Sequence, residues 1–452
     1  MGALYPAIWR WHFYAGVLVI PFVVLLSLSG AVYLFKPQVE RWEERAFHAQ
    51  PVSAPVAPNQ QLDVALQRYP GAVFLDYRLP EQAGDAALIR LSLANGGPVR
   101  EVFVSPRGDV LGAIDPDRRI MAITKRVHSQ LLVGGEVGNR LVELAACWAI
   151  VLILSGLYLW WPRGRGGAGV VWPRLTRGGR VFWRDLHAVT GFWVSSLALV
   201  MLVSGLPWTS VWGTAFGAVR AELGWVNGPA QWDIDGAKPS SAPATGQGHG
   251  HGHGHGSGPM STPDAPFNPQ VFDQMVQDAR AQALAFPAIV TPPGAPGRFG
   301  APGQMLWTIR SDAQNQPLRT TIRYDLTGHT VLSRESFADG HPIDRAVGYG
   351  IAWHEGQLFG LLNQIVGLLT ALALVMVAIS GAIMWLRRRP TGSLGAPPAR
   401  SVGNRPLLAV LVACLAVLLP LFAFSLVAII LLEIFVLRRF SSLSRWLGLR
   451  SA

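Results

Sequence analysis

The chain has 452 residues, half of them hydrophobic and only 14% charged, and a formal net charge of +11. The apolar residues come in blocks near or above the ~20 residues a helix needs to cross a bilayer, which excludes an ordinary soluble domain. The excess charge does not mark nucleic-acid binding, because the arginines cluster just beyond the apolar blocks, as they do in the cytoplasmic loops of multi-pass membrane proteins.

Residues 1–35 predict the first transmembrane helix. Its apolar run, Phe13 to Phe35, is too long for a cleavable leader and is followed by no small-residue cleavage site. Residues 36–127 predict a first module outside the membrane. It has a Pro- and Ala-rich linker at Val52–Pro58 and an amphipathic helix at Asn59–Tyr69. Strands follow at Ala72–Leu79, Ala86–Leu93, Val99–Val104 and Val110–Ile114, with Gly/Pro/Asn/Asp turn signals between them. Residues 128–161 predict the second transmembrane helix, closed by Trp160-Trp161-Pro162, and 162–185 an Arg-rich cytoplasmic loop. Residues 186–208 are the third span. Residues 209–353 form a second outside module with a Gly/His-rich linker at 236–269, a helix at Pro269–Leu284 and strands at Gln304–Arg310, Arg319–Asp325 and Thr330–Arg334. Residues 354–386 are the fourth span and 387–405 a second cytoplasmic loop. The apolar tail 406–437 reads as a hairpin bent at Pro420 or as one kinked helix. Arg438 and Arg439, in a cytoplasmic tail 438–452, favour the hairpin.

The expected fold class is a membrane α-helical bundle. Four long helices come from a tandem two-helix repeat, a C-terminal hairpin or kinked helix follows, and two small α+β modules lie outside the membrane. The repeat is carried by a signature. Each long apolar run has a single His near one end and a Ser-Gly pair near the other: His12 with Ser29-Gly30, His128 with Ser155-Gly156, His187 with Ser204-Gly205, and His354 with Ser380-Gly381. His12 and His187 have glycine four residues on (Gly16, Gly191), and His128 and His354 have it six residues on (Gly134, Gly360).

An ionisable residue in or at the membrane is a functional candidate by default. Equivalent helices face each other across a bundle built on a two-fold repeat, so His12 is expected to oppose His187, and His128 to oppose His354. Two neutral imidazoles on facing helices are what a b-type haem needs as axial ligands, so the reading is two bis-His haems. The nearby glycines fit the close approach of a flat macrocycle to the backbone, and the Ser-Gly pairs read as helix-packing residues. A lone membrane-edge His is more commonly an interfacial anchor; the recurrence at four equivalent places is what lifts these above that. His48 and His341 are alternatives for the outer pair, and His329 reads as a turn residue. The run His249, His251, His253, His255 within alternating glycines is a weak possible metal-binding stretch or simply a flexible linker.

Several absences constrain the chemistry. The two cysteines, Cys147 and Cys414, lie inside apolar runs, so there is no disulfide framework, no covalent haem motif and no zinc ribbon. No nucleotide-binding motif is present and the cytoplasmic loops are too short for a flavin or nicotinamide domain. Any electron donor is therefore a quinol or a separate cytoplasmic reductase.

Four segments carry a resemblance: Trp11-His12; Val127-His128-Ser-Gln-Leu-Leu-Val-Gly134; Asp185-Leu-His187 with Gly191; and Trp353-His354. In this order, with helix-plus-strand modules between them, residues 5–390 resemble PepSY-associated transmembrane proteins. That family includes inner-membrane ferric-siderophore reductases. The resemblance implies a multi-pass protein of the bacterial inner membrane, with a cytoplasmic N-terminus and periplasmic long loops. It also implies haem and electron transfer to a periplasmic ferric siderophore or other iron chelate; catalytic residues are not indicated. Two other classes of function stay open on the residues alone: a non-redox metal-handling or transport protein, which predicts polar residues within the spans, and a peptide- or partner-binding regulatory protein, which predicts no haem.

Overall fold

The computed structural model describes residues 4–162, 167–225, 267–295, 303–398 and 405–449. In chain order the elements are α1 (Tyr5–Tyr33), α2 (Lys36–Glu43), α3 (Pro58–Arg68), β1 (Val73–Arg78), β2 (Ala87–Ser92), β3 (Val99–Val104) and β4 (Val110–Ile114). There follow α4 (Ile120–Gln130), α5 (Gly135–Trp160), α6 (Arg180–Gly205), α7 (Ser210–Glu222) and α8 (Pro269–Ala281). Then come β5 (Ala288–Thr291), β6 (Trp307–Ser311), β7 (Thr320–Tyr324), β8 (Val331–Ser336), α9 (Pro342–His354) and α10 (Leu361–Arg388). The chain ends in α11 (Arg405–Leu418), α12 (Pro420–Leu432) and α13 (Ser441–Leu447). They form two compact units, one of Met1–Leu34, Thr124–Ala218 and Phe359–Ala452, the other of Phe35–Ile123 and Val219–Leu358.

The first unit is the membrane unit. Among the described residues, five helical stretches are long and apolar enough to cross a bilayer: Tyr5–Tyr33, Gly135–Trp160, Arg180–Trp208, Leu361–Arg388 and Pro420–Leu437. This is a multi-pass membrane protein. α1 packs on α5 and α10, and α6 packs on the same two helices, which closes a four-helix ring with α1 and α6 on opposite corners. Many apolar side chains of the spans, among them Leu18, Leu28, Leu154, Val203 and Leu369, are exposed in the isolated chain, as a lipid-facing surface requires.

The tail is a hairpin. Pro420 disfavours helical backbone at the residue before it, and Leu419 breaks the helix there with φ −130° and ψ 80°. The turn lies beyond the C-terminal end of α6, where the Trp212 indole donates to the Leu418 carbonyl at 3.0 Å. Both outer ends of the hairpin come back to the start of α1. Arg10 donates to the carbonyls of Pro397 (2.5 Å) and Gly448 (2.7 Å), and the Tyr14 hydroxyl donates to that of Leu447 (2.6 Å). A wholly buried carboxylate, Glu143 on α5, accepts from the amides of Val211 (2.8 Å) and Trp212 (2.9 Å). It thus caps the first turn of α7, where a negative charge is stabilised.

The second unit corrects the expectation of two separate modules. The eight strands among the described residues form one sheet, in the order β4-β3-β2-β1-β5-β6-β7-β8. Each half is an antiparallel meander, and the halves join where β1 pairs antiparallel with β5, Tyr77 opposite Val290 and Arg78 opposite Ile289. Strand β5 is a strand the sequence reading missed. Alternate residues of the strands, including Tyr77, Ile89, Val102, Val290, Ile309 and Ile322, point to one face and bury against α3 and α8, where Leu62, Phe272 and Met275 complete the core. The halves also interlock by hydrogen bonding: the Asn59 amide at the start of α3 donates to Asp273 of α8 at 2.8 Å.

The opposite face of the sheet carries buried charge. Asp76 of β1 accepts from Arg90 of β2 and lies 3.6 Å from Arg310 of β6, so a carboxylate of one half is shared with a guanidinium of the other. Glu44 lies between Arg78 (2.5 Å) and Arg119 (2.8 Å), and Arg119 also reaches Glu101 at 2.6 Å. Burial pushes the Glu44 carboxyl up, but the two guanidiniums outweigh it and hold the group below its ordinary 4.5. At Glu101 burial wins over the pull of Arg119, and the carboxyl is raised.

Candidate functional site

The helix ring brings His12 of α1 and His187 of α6 together across its diagonal. Their ring centroids lie 6.5 Å apart with an interplanar angle of 88°. Both side chains are half-buried. One turn further along each helix sits Gly16 or Gly191. A Cβ at Gly191 would meet nothing within 4 Å, and one at Gly16 only Leu152 at 3.9 Å. The same end of the unit carries arginines packed on aromatic rings, with Arg388 over Trp9 and Phe13 at 5.4 Å each and Arg387 over Trp183 at 5.8 Å.

The Ser-Gly pairs do more than pack helices. Each one resolved in contact with a histidine forms a seat for the ring of a different run. His12 Nδ1 lies 2.8 Å from Ser155 Oγ, and Ser155 donates to the Leu152 carbonyl at 3.1 Å. His128 Nδ1 lies 3.1 Å from Ser29 Oγ, which donates to the carbonyls of Leu25 (2.8 Å) and Leu26 (3.2 Å). His187 Nδ1 donates to the Val377 carbonyl at 2.9 Å and lies 3.3 Å from Ser380 Oγ, which donates to that same carbonyl at 2.9 Å. The glycine that follows each serine makes room for the ring. A Cβ there would come within 3.3 Å of His12 Cε1 at Gly156, 3.0 Å of His128 Cε1 at Gly30 and 3.3 Å of His187 Cε1 at Gly381. The signal for these seats was visible in the sequence as the recurring Ser-Gly pair. What the sequence lacked was the partner, because each pair serves the histidine of another helix.

The remaining candidates divide. His128 lies on α4 and not on the span itself: the helix stops at Gln130 and α5 begins at Gly135. His354 likewise ends α9, before the break that precedes α10. Gly134 (φ 83°) and Gly360 (φ 58°) are the N-caps of α5 and α10, where the positive φ itself calls for glycine. His48 Nδ1 pairs with Asp85 at 2.8 Å, and His341 caps α9 by accepting from the Ile343 amide at 3.3 Å. His329 follows a turn that Asp325 holds by accepting from the His329 and Thr330 amides. His249, His251, His253 and His255 lie outside the described residues.

His12 and His187 fit the demands of a shared axial-ligand pair. Two imidazoles on one six-coordinate metal, each bonded at ~2.0 Å, place their ring centres about 6 Å apart. Every hydrogen bond that either ring makes among the described residues is through Nδ1, which leaves both Nε2 atoms without a protein partner. Among the described residues no group of three or more His, Cys, Asp or Glu is placed to hold a metal ion. A haem iron, whose four equatorial ligands come from the macrocycle, needs only the two histidines.

The family profile of the PepSY-associated TM region matches residues 9–388. The chain belongs to that family. The matched stretch holds all four histidines of the repeat, the seats and the eight-stranded sheet, and it stops at the end of α10, before the hairpin. None of the curated proteins matches the chain.

Proposed function

We propose that this family member is a haem-bearing membrane oxidoreductase that carries electrons across the bilayer to a ferric chelate, such as an Fe(III)-siderophore, for iron uptake. The observation that supports it is the His12–His187 pair, 6.5 Å apart on diagonal helices with each Nδ1 held by the neighbouring span. Haem b, when bound, supplies one-electron exchange at an iron whose potential is set by its ligands and their burial. His12 and His187 would hold it by Nε2, and the arginines at the same end suit its carboxylates. The second ligand set, His128 with His354, rests on the repeat in the sequence. The Arg-rich loops support a cytoplasmic His12 end and a periplasmic sheet in a bacterial inner membrane. The donor is a quinol or a separate cytoplasmic reductase. The delivered electron takes Fe(III) to Fe(II), which hard oxygen ligands hold less tightly, so the chelate releases it.

The test is a dithionite-reduced minus oxidised visible spectrum of the detergent-purified protein with a pyridine haemochrome count. A low-spin b-type spectrum with about two haems per chain is the expected result. A protein that stays colourless after expression with haem supply and after reconstitution contradicts the reading.

A further inference from the structure

The three seats share one hydrogen-bond pattern that suits one tautomer of the ring they hold. A carbonyl oxygen only accepts, so the 2.9 Å contact of His187 Nδ1 with Val377 requires a proton on Nδ1. At His12 and His128 the serine hydroxyl has one proton and donates it to a carbonyl of its own helix, Leu152 for Ser155 and Leu25 or Leu26 for Ser29. The serine oxygen is then free to accept from Nδ1–H. A proton on Nδ1, with the lone pair on Nε2, satisfies all three seats at once. The following glycine leaves the ring room to sit against the helix. The same unit of carbonyl, serine and glycine appears at Leu152-Ser155-Gly156, Leu26-Ser29-Gly30 and Val377-Ser380-Gly381.

We propose that Ser155, Ser29 and Ser380, with the carbonyl three residues before each, are positioning residues. They select the Nδ1–H tautomer and aim Nε2 of His12, His128 and His187 at haem iron. This inference rests on the haem reading and goes beyond it by giving the Ser-Gly pairs a chemical role. A hydrogen bond accepted from Nδ1–H raises the basicity of the ligand and stabilises ferric over ferrous iron. The seats are graded. Ser155 is the near acceptor for His12 at 2.8 Å, whereas His187 leans first on the Val377 carbonyl at 2.9 Å and only then on Ser380 at 3.3 Å.

The experiment is a potentiometric titration followed optically, with low-temperature EPR, on full-length wild type, Ser155→Ala, Ser155→Thr and Ser380→Ala. Ser155→Ala is expected to keep its haem but raise the midpoint potential of one haem and shift its low-spin signal. Ser155→Thr, which restores the hydroxyl, returns both toward wild type, and Ser380→Ala moves them less. Should Ser155→Ala lose haem outright while Ser155→Thr keeps it, the seat is likewise upheld. Wild type with haem and a Ser155→Ala variant that matches it in potential and signal overturns the positioning role while leaving the haem reading intact. Wild type without haem overturns both.

Discussion

The two halves of this chain hold equivalent histidines in the same way and brace them in different ways. His12 rests on the Ser155-Gly156 pair and His187 on Ser380-Gly381, each on the adjacent span, with Nδ1 engaged in both. Two residues before each histidine the halves diverge. In the first, Arg10 reaches the carbonyls of Pro397 and Gly448 and so ties α1 to the tail. In the second, Asp185, wholly buried, holds Arg174 (2.6 Å) and Arg184 (2.6 Å) and so ties α6 to its preceding loop. The repeat-equivalent tryptophans at the far ends of α5 and α10 agree again: Trp160 donates to the Val170 carbonyl and Trp385 to that of Leu394. What the two halves share is the geometry that places the imidazoles. What differs is the set of clamps, which face segments that are not alike in the two halves.

That comparison breaks most readily at the seat glycines. Gly156→Val and Gly381→Val each drive atoms into a ring already 3.3 Å from where a Cβ would stand. On the proposed haem reading, each variant loses about one haem per chain by pyridine haemochrome. Loss from one half alone would mean that the seats are not equivalent.

The clamps should separate the halves. Asp185→Ala leaves two arginines without their shared carboxylate and is expected to cost about 2 kcal/mol, discounted because both arginines reach water. Arg10→Ala removes hydrogen bonds to two carbonyls and should cost about 1 kcal/mol. Thermal unfolding in detergent reads both, and a larger loss for Arg10→Ala would reverse the ranking of the clamps.

The sheet halves differ in charge, and pH exposes it. Glu44 has a depressed carboxyl, so it stabilises the fold above its ordinary value of 4.5 and loses that contribution as the pH falls through the lower folded value. Glu101, raised by burial, works in the opposite sense and offsets part of the loss. Glu44→Gln is expected to flatten the acid limb of the stability profile measured by near-ultraviolet circular dichroism and to cost stability at neutral pH. An unchanged acid limb would mean that the Glu44 pairs contribute nothing net.

Much of this architecture was legible in the sequence because hydrophobic length and strand alternation are local signals. The first meander was read nearly residue for residue, from Ala72–Leu79 against the observed Val73–Arg78 to Val110–Ile114. The joined sheet was not legible. Its seam depends on β5, four residues at Ala288–Thr291 between Pro287 and the Pro292-Pro293 turn, too short for alternation to register. The facing of His12 and His187 followed from the repeat, but the seats could not, since Ser155 and His12 are 143 positions apart and meet only through helix packing. The cap role of Gly134 and Gly360 was not legible either, because a sequence shows a glycine's position and not its φ. The tail's two readings were separable by charge, and the carbonyls that Arg10 gathers from both of its ends show the hairpin.

The most direct test of the central claim is a haem count on His12→Ala, His187→Ala and the double variant in full-length protein. If the two imidazoles share one iron, each single variant loses one haem and the double variant loses no more than that one, with the remaining haem unchanged in potential. A double variant that loses two haems, or single variants that keep the full count, would contradict the shared site.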